Sequence, residues 1–598
     1  MKSMNMNMNF IPKFITQGLY GNESEHKDFS ETKKLMEDHP DLLQIYAESF
    51  RQNFSLVALT DYESGEHITY GALARQIARI HLFFEQVGVQ PGDKVALWGR
   101  NSIGWVTVFM ATITYGAIIV PILSDFNPHD VQHIVNHSDS VIMFGTERLM
   151  ESINFEAIPN VKAILALDKK LVMDERMLEG KSTLATSDVA KIMRNLTRRF
   201  NKRYPKSFSP NDIKYPKINH QRLAIINYTS GTTGFSKGVM LTLENLHGNV
   251  CFGIQSRLHY PGSRALAFLP LAHAYGCMFD MMTPLAVGTH VTILGRIPSP
   301  RVILKALAEV KPSLIICVPL ILEKIYKNII VPMITKKAIR WALAIPFLDK
   351  AIYSKIRNKL IQAFGGEFEE IIIGGAPLNH EVEEFLHTIK FPFSVGYGMT
   401  ECAPLISYTP WQEFIPGSSG HVLPGIMEVK ILSEDPYKTP GEILVKGTNV
   451  MRGYYKKPDA TEASIEEDGW LHTGDMGVLG GDDGQTIFIK GRYKTMILTA
   501  NGQNIYPEGI ESKLNNMPFV AESLVIERNG HLVALVFPDS EATDRFNVSD
   551  EELPGIMEQT RLELNALLAQ YERVDKIQLM PGEFEKTPKR SIKRYLYV

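Results

Sequence analysis

The stretch YTSGTTGFSKGVM, residues 228–240, decides how the rest of the chain is read. It packs the hydroxyls of Thr229, Ser230, Thr232 and Thr233, the glycines Gly231, Gly234 and Gly238, and the cation Lys237 at a density that no structural segment requires. An apolar run, 223–228, precedes it and reads as a short strand, so the loop leaves the end of a sheet, where α/β proteins bind ligands. Glycines let the backbone come close to oxyanions, the hydroxyls donate to them, and Lys237 adds a mobile positive charge. That chemistry suits a nucleoside triphosphate. A flexible Gly/Ser/Thr linker shares the composition but would not sit between a strand and a Lys-Gly-Val-Met continuation. The standard P-loop is excluded, because Gly231 and Gly234 stand too close together and Lys237 precedes Gly238 instead of following a glycine.

Four later stretches carry the same kind of punctuation: GGAPL at 374–378, YGMTE at 397–401, DGWLHTGD at 468–475 and GRYKTMILTANGQNIYPEGIE at 491–511. Together with 228–240, in this order, they resemble the signatures of the adenylate-forming enzymes, the superfamily of acyl-CoA synthetases, luciferases and nonribosomal adenylation domains. Within it the chain is most similar to long-chain acyl-CoA synthetases. The resemblance covers residues 228–594 and implies ATP and Mg²⁺ as cofactors, a fatty acid as substrate and CoA as the thiol acceptor.

Length and composition agree with such an enzyme without pointing to it. A chain of 598 residues exceeds one core's usual limit, so at least two domains are expected. Hydrophobic residues at 44% and charged residues at 22% describe an ordinary globular protein, and a net charge of −3 selects no polyanionic partner. Nucleic acid is therefore not expected as a ligand. Cys251, Cys277, Cys317 and Cys402 are scattered without paired or metal-ligand spacing, which fits reduced thiols in a cytoplasm.

Residues 1–30, rich in Met and Asn at their start, read as a loose tail without the apolar core of a secretory signal. The uncharged run 103–123 is long enough to span a membrane, but Gly104, Thr107, Thr112, Thr114 and Gly116 dilute it and Pro121 ends it. A buried helix feeding a buried strand, 117–122, is the better reading. Before it, Leu73, Ile77, Ile80 and Phe84 form a helical stripe and 94–98 a strand; 140–144 and 161–167 continue the alternation. The fold class is α/β, with a large adenylation domain, 31–490, whose parallel sheets are flanked by helices. A small mobile α+β cap, 491–598, follows: β-rich runs at 522–528 and 531–538 enclose the hairpin signal Asn529-Gly530, and 551–570 reads as a helix.

Two basic stretches interrupt this order. Residues 187–222 carry ten Lys/Arg and two Asp, broken by Pro205, Pro210 and Pro216, and read as an exposed connection. Residues 324–359 carry nine Lys/Arg and one Asp among Ile330, Trp341, Leu343, Phe347 and Ile356. They form either a solvated helical face or a segment lying on an anionic membrane surface, which leaves peripheral association with the inner membrane surface open.

The resemblance implies roles residue by residue. Residues 229–234 and Lys237 would hold phosphates, Thr400 would contact them, and Glu401 would hold Mg²⁺, a cation that prefers hard oxygen ligands. Gly375, Ala376 and Pro377 would pass the adenine, Tyr397 would stack on it, and Gly398 and Met399 would complete that wall. Asp475 would take the ribose hydroxyls, with Arg492 beside it, and Lys494 would be the hinge on which the cap turns. His273, with Tyr275 and Met278, would stand at the acyl pocket. One departure stands out: in KTPKRSIKRYL, 586–596, the lysine that the family brings to the reacting groups falls on Ser591. Lys593 is the preferred substitute because it keeps the Ile-Lys-Arg context, with Lys589 and no substitute as alternatives. Two further readings stand beside CoA ligation: adenylation with transfer to another acceptor, such as an acyl carrier protein's thiol, and, motivated by this departure, a weakly catalytic acyl- or nucleotide-binding homologue.

Overall fold

The computed structural model describes residues 32–167, 186–229, 237–295, 299–336, 339, 341, 345, 348–498, 504–587 and 591–598; side chains of 186–194, 328 and 329 are excluded. The tail 1–30, the loop residues Ser230, Gly231, Thr232, Thr233 and Gly234, and Lys589 lie outside the described residues.

The apolar run 103–123 resolves into the helix Ile103–Tyr115, the left-handed cap Gly116 (φ 87°) and the strand Ile118–Ile122. Ser102 caps the helix through Trp105 N, and residues from Trp105 to Thr114 are buried all round, which explains the absence of a polar face. Thr107, Thr112 and Thr114 return their hydroxyls to carbonyls one turn back, so burial leaves them satisfied. Among the described residues no helix is long and apolar enough to cross a membrane.

The strand Ile118–Ile122 lies inside a seven-stranded sheet, in the order Gly453–Tyr454, Lys237–Thr242, Leu223–Thr229, Ile118–Ile122, Lys94–Trp98, Ser140–Gly145, Ala163–Ala166. Its middle is parallel, while Leu223–Thr229 and Lys237–Thr242 form an antiparallel hairpin. A four-stranded sheet joins Val57–Asp61 in parallel to His290–Ile293, and the three-stranded parallel sheet Leu314–Cys317, Glu370–Ile373, Phe393–Val395 stands beside it. Parallel strands buried between helices read as near-continuous apolar runs, as EIII at 370–373 does.

Two expectations are corrected. The basic stretch 187–222 is not simply an exposed connection: Thr186–Arg203 is an α-helix that buries Leu196 and Phe200, with Arg75 and Arg79 standing over the Phe200 ring at 5.6 and 5.9 Å. Its positive charge faces out along an apolar stripe, and charge alone concealed the stripe. The large region also contains a four-stranded antiparallel sheet, Met427–Leu432, Gly441–Gly447, Leu471–Gly480 and Thr486–Arg492, which the helix-strand alternation did not foretell.

One apolar cluster of buried residues draws on Leu42 to Ile487, whereas the buried residues of two smaller clusters all lie from Ile505 onward. The latter flank the sheet Val520–Arg528, His531–Pro538, Lys576–Leu579. Asn529 (φ 54°) and Gly530 (φ 77°) form its tight turn, both in the left-handed region that the Asn-Gly pair tolerates. The helix after it spans Leu553–Ala566, shorter than the 551–570 pattern. Contacts between the two regions are polar: Asn379 Nδ2 donates to Ser512 O at 2.6 Å, and Lys327 Nζ donates to Val520 O at 3.0 Å.

Candidate active site

Antiparallel pairing sets the cation of the opening loop. Thr229 and Lys237 are register partners at the mouth of the hairpin, with the Thr229 hydroxyl donating to the Lys237 carbonyl at 3.4 Å, so the loop is closed at its base. On the other edge of Lys237–Thr242 the short strand Gly453–Tyr454 pairs in, setting Tyr454 opposite Val239. The Lys237 ammonium consequently stands 4.5 Å from the centre of the Tyr454 ring, a cation–π contact. The Tyr454 hydroxyl in turn donates to Glu401 Oε1 at 3.0 Å. Burial, then the neighbouring Glu401 charge, raises the pKa of this phenol, so it stays a donor. Tyr454 thus joins two residues that the motifs singled out separately. Sequence reading missed it; a Gly-Tyr-Tyr before Lys-Lys-Pro was the available signal, but nothing in one chain says that it pairs with residue 239.

Glu401 sits on the 3₁₀ turn Thr400–Cys402, which Met399 N closes through the Pro404 carbonyl at 2.9 Å. The turn leaves no room at Gly398, where a Cβ would lie 2.4 Å from the Pro404 carbonyl oxygen. Thr400 is buried, and Gly375, Ala376 and Pro377 are exposed after the strand Glu370–Ile373, with Gly375 at φ 86°. Among the described residues no three His, Cys, Asp or Glu side chains gather as a metal site. A single carboxylate with one oxygen engaged by a hydroxyl suits Mg²⁺, which usually takes one or two carboxylates and completes its shell with phosphates and water.

Asp475 and Arg492 are register partners on neighbouring strands. The Asp475 carboxylate, 5% exposed, receives the Tyr397 hydroxyl at 2.6 Å and the Arg492 Nε at 3.0 Å. Burial raises its pKa, and Arg492 and the Tyr397 hydrogen bond oppose that rise. Two partners leave two of the carboxylate's four acceptor positions for ligand hydroxyls.

From this end a cavity runs inward. Gly374, Gly375, Tyr397, Gly398, Met399 and Thr400 line it together with His273 and Tyr275. His273 caps the short helix Ala274–Gly276, its Nδ1 accepting from Tyr275 N at 3.3 Å, and the Tyr275 hydroxyl donates to the Ile372 carbonyl at 3.0 Å. Gly374 lets Tyr275 approach closely: a Cβ would meet the Tyr275 ring at 3.0 Å. Met278, in the widened helical turn Cys277–Met282, is buried in the main core and is not among the side chains that line this cavity.

The remaining residues lie apart from this cluster. Lys494 is exposed in the turn between the strands Thr486–Arg492 and Ile497–Leu498. Lys593 is paired with Glu585 at 3.4 Å, and its neighbour Arg594 is anchored by Glu511, whose two oxygens accept from Nη2 at 2.8 Å each. This pair fixes the register of the terminal segment, with Lys586 bridging to Ile592 around Ser591.

The sequence matches the AMP-binding enzyme family over residues 46–455, most of the chain, and the chain belongs to that family. It is 26% identical over 577 residues to the long-chain-fatty-acid–CoA ligase FadD15 of Mycobacterium bovis, covering 88% of this chain and 90% of that one. It is 29% identical to the peroxisomal long chain acyl-CoA synthetase 7 of Arabidopsis thaliana, covering 94% and 82%. The fold is similar to that of the anthranilate CoA ligase AuaEII in complex with anthranoyl-AMP (TM-score 0.71, 19% identity, 93% of this chain and 96% of the other). It is also similar to ATP-bound MatB from Rhodopseudomonas palustris (TM-score 0.68, 23% identity, 92% and 98%). The chain is thus one of the adenylate-forming, AMP-binding enzymes, with parallel sheets flanked by helices as the helix–strand alternation implied.

Proposed function

We propose that this chain activates a long-chain fatty acid with ATP and Mg²⁺, releasing pyrophosphate, and transfers the acyl group to CoA with release of AMP. The observation that carries the reading is the continuity of one cavity: the wall Gly374–Gly375 and 397–400 passes without interruption into a chamber lined by Phe252, Leu258, Leu314 and Ile316. A carboxylate held at the junction would have its chain in apolar surroundings, at roughly 0.8 kcal/mol per buried CH₂.

A carboxylate is a poor acyl donor, so its oxygen first attacks the α-phosphorus and the bond to pyrophosphate breaks. The thiol of CoA then attacks the carbonyl carbon and AMP leaves. Lys237 and the loop hydroxyls would meet charge that develops on the phosphate oxygens, with Tyr454 holding Lys237 and Glu401 in register. A magnesium ion on Glu401 and the phosphates would neutralise part of the same charge. Asp475 would accept the ribose hydroxyls and Tyr397 would supply an aromatic face.

Residues 31–490 act in this reading as the adenylating domain and 491–598 as a cap that turns about Lys494, a turn residue with no strand hydrogen bond to lose. Lys593 would replace the lysine displaced by Ser591. A cytoplasmic location fits four cysteines that are all buried and unpaired. Trp341 at 77%, Ile345 at 49% and Leu348 at 47% exposure, beside Lys336 and Lys350, favour peripheral contact with an anionic membrane surface, testable by co-sedimentation with phosphatidylglycerol vesicles. Incubation with ATP, Mg²⁺, palmitate and CoA tests the reaction. AMP and pyrophosphate, with AMP turnover dependent on CoA, are expected; ADP as product would end this reading, and turnover only with a carrier protein would move the acceptor.

A further inference from the structure

The cavity changes character with depth. Its floor follows the parallel strands Leu314–Cys317 and Glu370–Ile373, whose carboxyl ends lead to Gly374, so Leu314 lies about 10 Å from the nucleotide end at 3.3 Å of rise per residue. Leu258 and His259 stand at the far end, after Arg257 (φ 55°) turns the chain, and Thr283, at the start of the helix Thr283–Val287, lines the same cavity. The Leu258 carbonyl accepts from Ser313 Oγ at 3.5 Å, which ties this wall to the amino end of the strand Leu314–Cys317.

An apolar tunnel needs no polar side chain there, yet His259 is 3% exposed and Thr283 is 1% exposed. Neither ring nitrogen of His259 and not the Thr283 hydroxyl makes a hydrogen bond of regular geometry. Ser256, which also lines the cavity, is already satisfied by donating to the Gly253 carbonyl at 2.7 Å. Burial lowers His259 to about 4, opposed by the nearby Phe279 carbonyl. The ring is therefore neutral near pH 7, with one nitrogen donating and one accepting. The Phe279 carbonyl can occupy at most the donor, and Phe279 itself lies one helical turn before Thr283 on the same wall. Buried polar groups are rarely left unmet.

We infer that the chamber selects an acyl chain bearing a hydroxyl near its middle, held by His259 and Thr283. A hydroxyl both donates and accepts, which matches a neutral imidazole and a threonine; a plain methylene chain matches neither, and a keto oxygen can only accept. The depth excludes a substituent next to the carboxyl group. The inference rests on the acyl-activating reading of the same cavity.

The test is pyrophosphate exchange by the full-length protein with palmitate and with hydroxy- and ketopalmitates substituted at successive mid-chain carbons. The best hydroxy acid should exceed palmitate by at least ~10-fold in kcat/KM, as sites built to hydrogen-bond a substrate reject the analogue that lacks the group. His259→Leu should abolish this preference while leaving palmitate within ~3-fold, and Thr283→Val, which keeps the shape, should reduce it. Both variants remove an unmet polar atom, so neither is expected to impair folding. Exchange with palmitate at equal or better rates, or a preference untouched by His259→Leu, overturns the inference and leaves a buried water as what satisfies these groups. Exchange with no acid at all overturns the activation reading instead, and the ratio of affinities for hydroxypalmitate and palmitate, read by calorimetry on wild type and His259→Leu, then decides the hydroxyl separately.

Discussion

The two ends of one cavity treat polarity in opposite ways. Beside the nucleotide end the described charged groups have protein partners: Tyr397 and Arg492 on Asp475, and Tyr454 on both Glu401 and Lys237. At the far end His259 and Thr283 are equally buried, and neither makes a hydrogen bond of regular geometry, the Phe279 carbonyl being the protein acceptor near the His259 ring. The first arrangement holds groups in place before a ligand arrives, which is what electrostatic stabilisation of a transition state requires. The second leaves the ligand to complete the structure, which suits discrimination between ligands better than catalysis.

Breaking the preorganised end should therefore cost rate. Glu401→Gln is expected to retain the fold and lower turnover at least ~100-fold, the scale of losing a principal electrostatic contact; near-normal rates at limiting Mg²⁺ would remove Glu401 from the site. Lys494→Pro fixes φ in the turn after Arg492 and should lower thioester formation by about as much, while single-turnover adenylate formation stays measurable. Equal loss of both half-reactions would contradict a hinge.

Next in size is the contribution from the C-terminal segment. Lys593→Ala should slow adenylate formation selectively, by ~10-fold or more, and Ser591→Lys should leave it unchanged. If the alanine variant is silent and Ser591→Lys accelerates the step, the wild-type site works without this lysine. Tyr454→Phe keeps the ring over Lys237 but deletes the hydroxyl on Glu401, and a loss of about 10-fold in kcat is expected from one hydrogen bond to a charged group. A larger effect on KM for ATP than on kcat would show that Tyr454 binds ground-state nucleotide instead.

The smallest expected effect sharpens the contrast through stability. Glu383 is buried at 4% exposure, and burial pushes its pKa to about 7 from an ordinary value of 4.5; the Gly417 N–H opposes the shift and Glu384 adds to it. His380, 3.9 Å away, is its nearest basic neighbour. Because the folded pKa is the higher one, the native state holds a proton that the unfolded chain has lost between about 4.5 and 7. Stability from this group is thus greatest below pH 4.5 and is lost as pH rises through 7. Glu383→Gln should raise the melting temperature at pH 8, by an amount corresponding to about 1–3 kcal/mol, and have no effect at pH 4. A gain that does not vary with pH would point to packing.

Much of this molecule is legible in the sequence where one segment settles its own conformation. The run 103–123 and the Asn529-Gly530 hairpin are cases in which apolar continuity or turn chemistry acts within about twenty residues. The nucleotide motifs are legible because several rare residue types recur at close spacing. Pairing between distant segments is not: the strand Gly453–Tyr454, the antiparallel sheet from Met427 to Arg492 and the inward face of His259 depend on partners that local pattern does not name. The helix Thr186–Arg203 was concealed differently, by basic residues outnumbering the two aromatic and aliphatic anchors that seat it.

Distance along the chain has a further consequence for how the protein is made. The strand Val57–Asp61 needs His290–Ile293 as its parallel neighbour, and Thr60 Oγ1 meets His290 Nε2 at 2.7 Å across 230 residues. At 5–20 residues per second a ribosome takes roughly 10 to 50 s to supply that partner. Throughout this interval the emerging strand has only His67–Thr69 on one side and presents its other edge unpaired. The strand Val57–Asp61 thus stays unsheltered on that edge for the whole of this interval, and chaperone occupancy during synthesis should be high there.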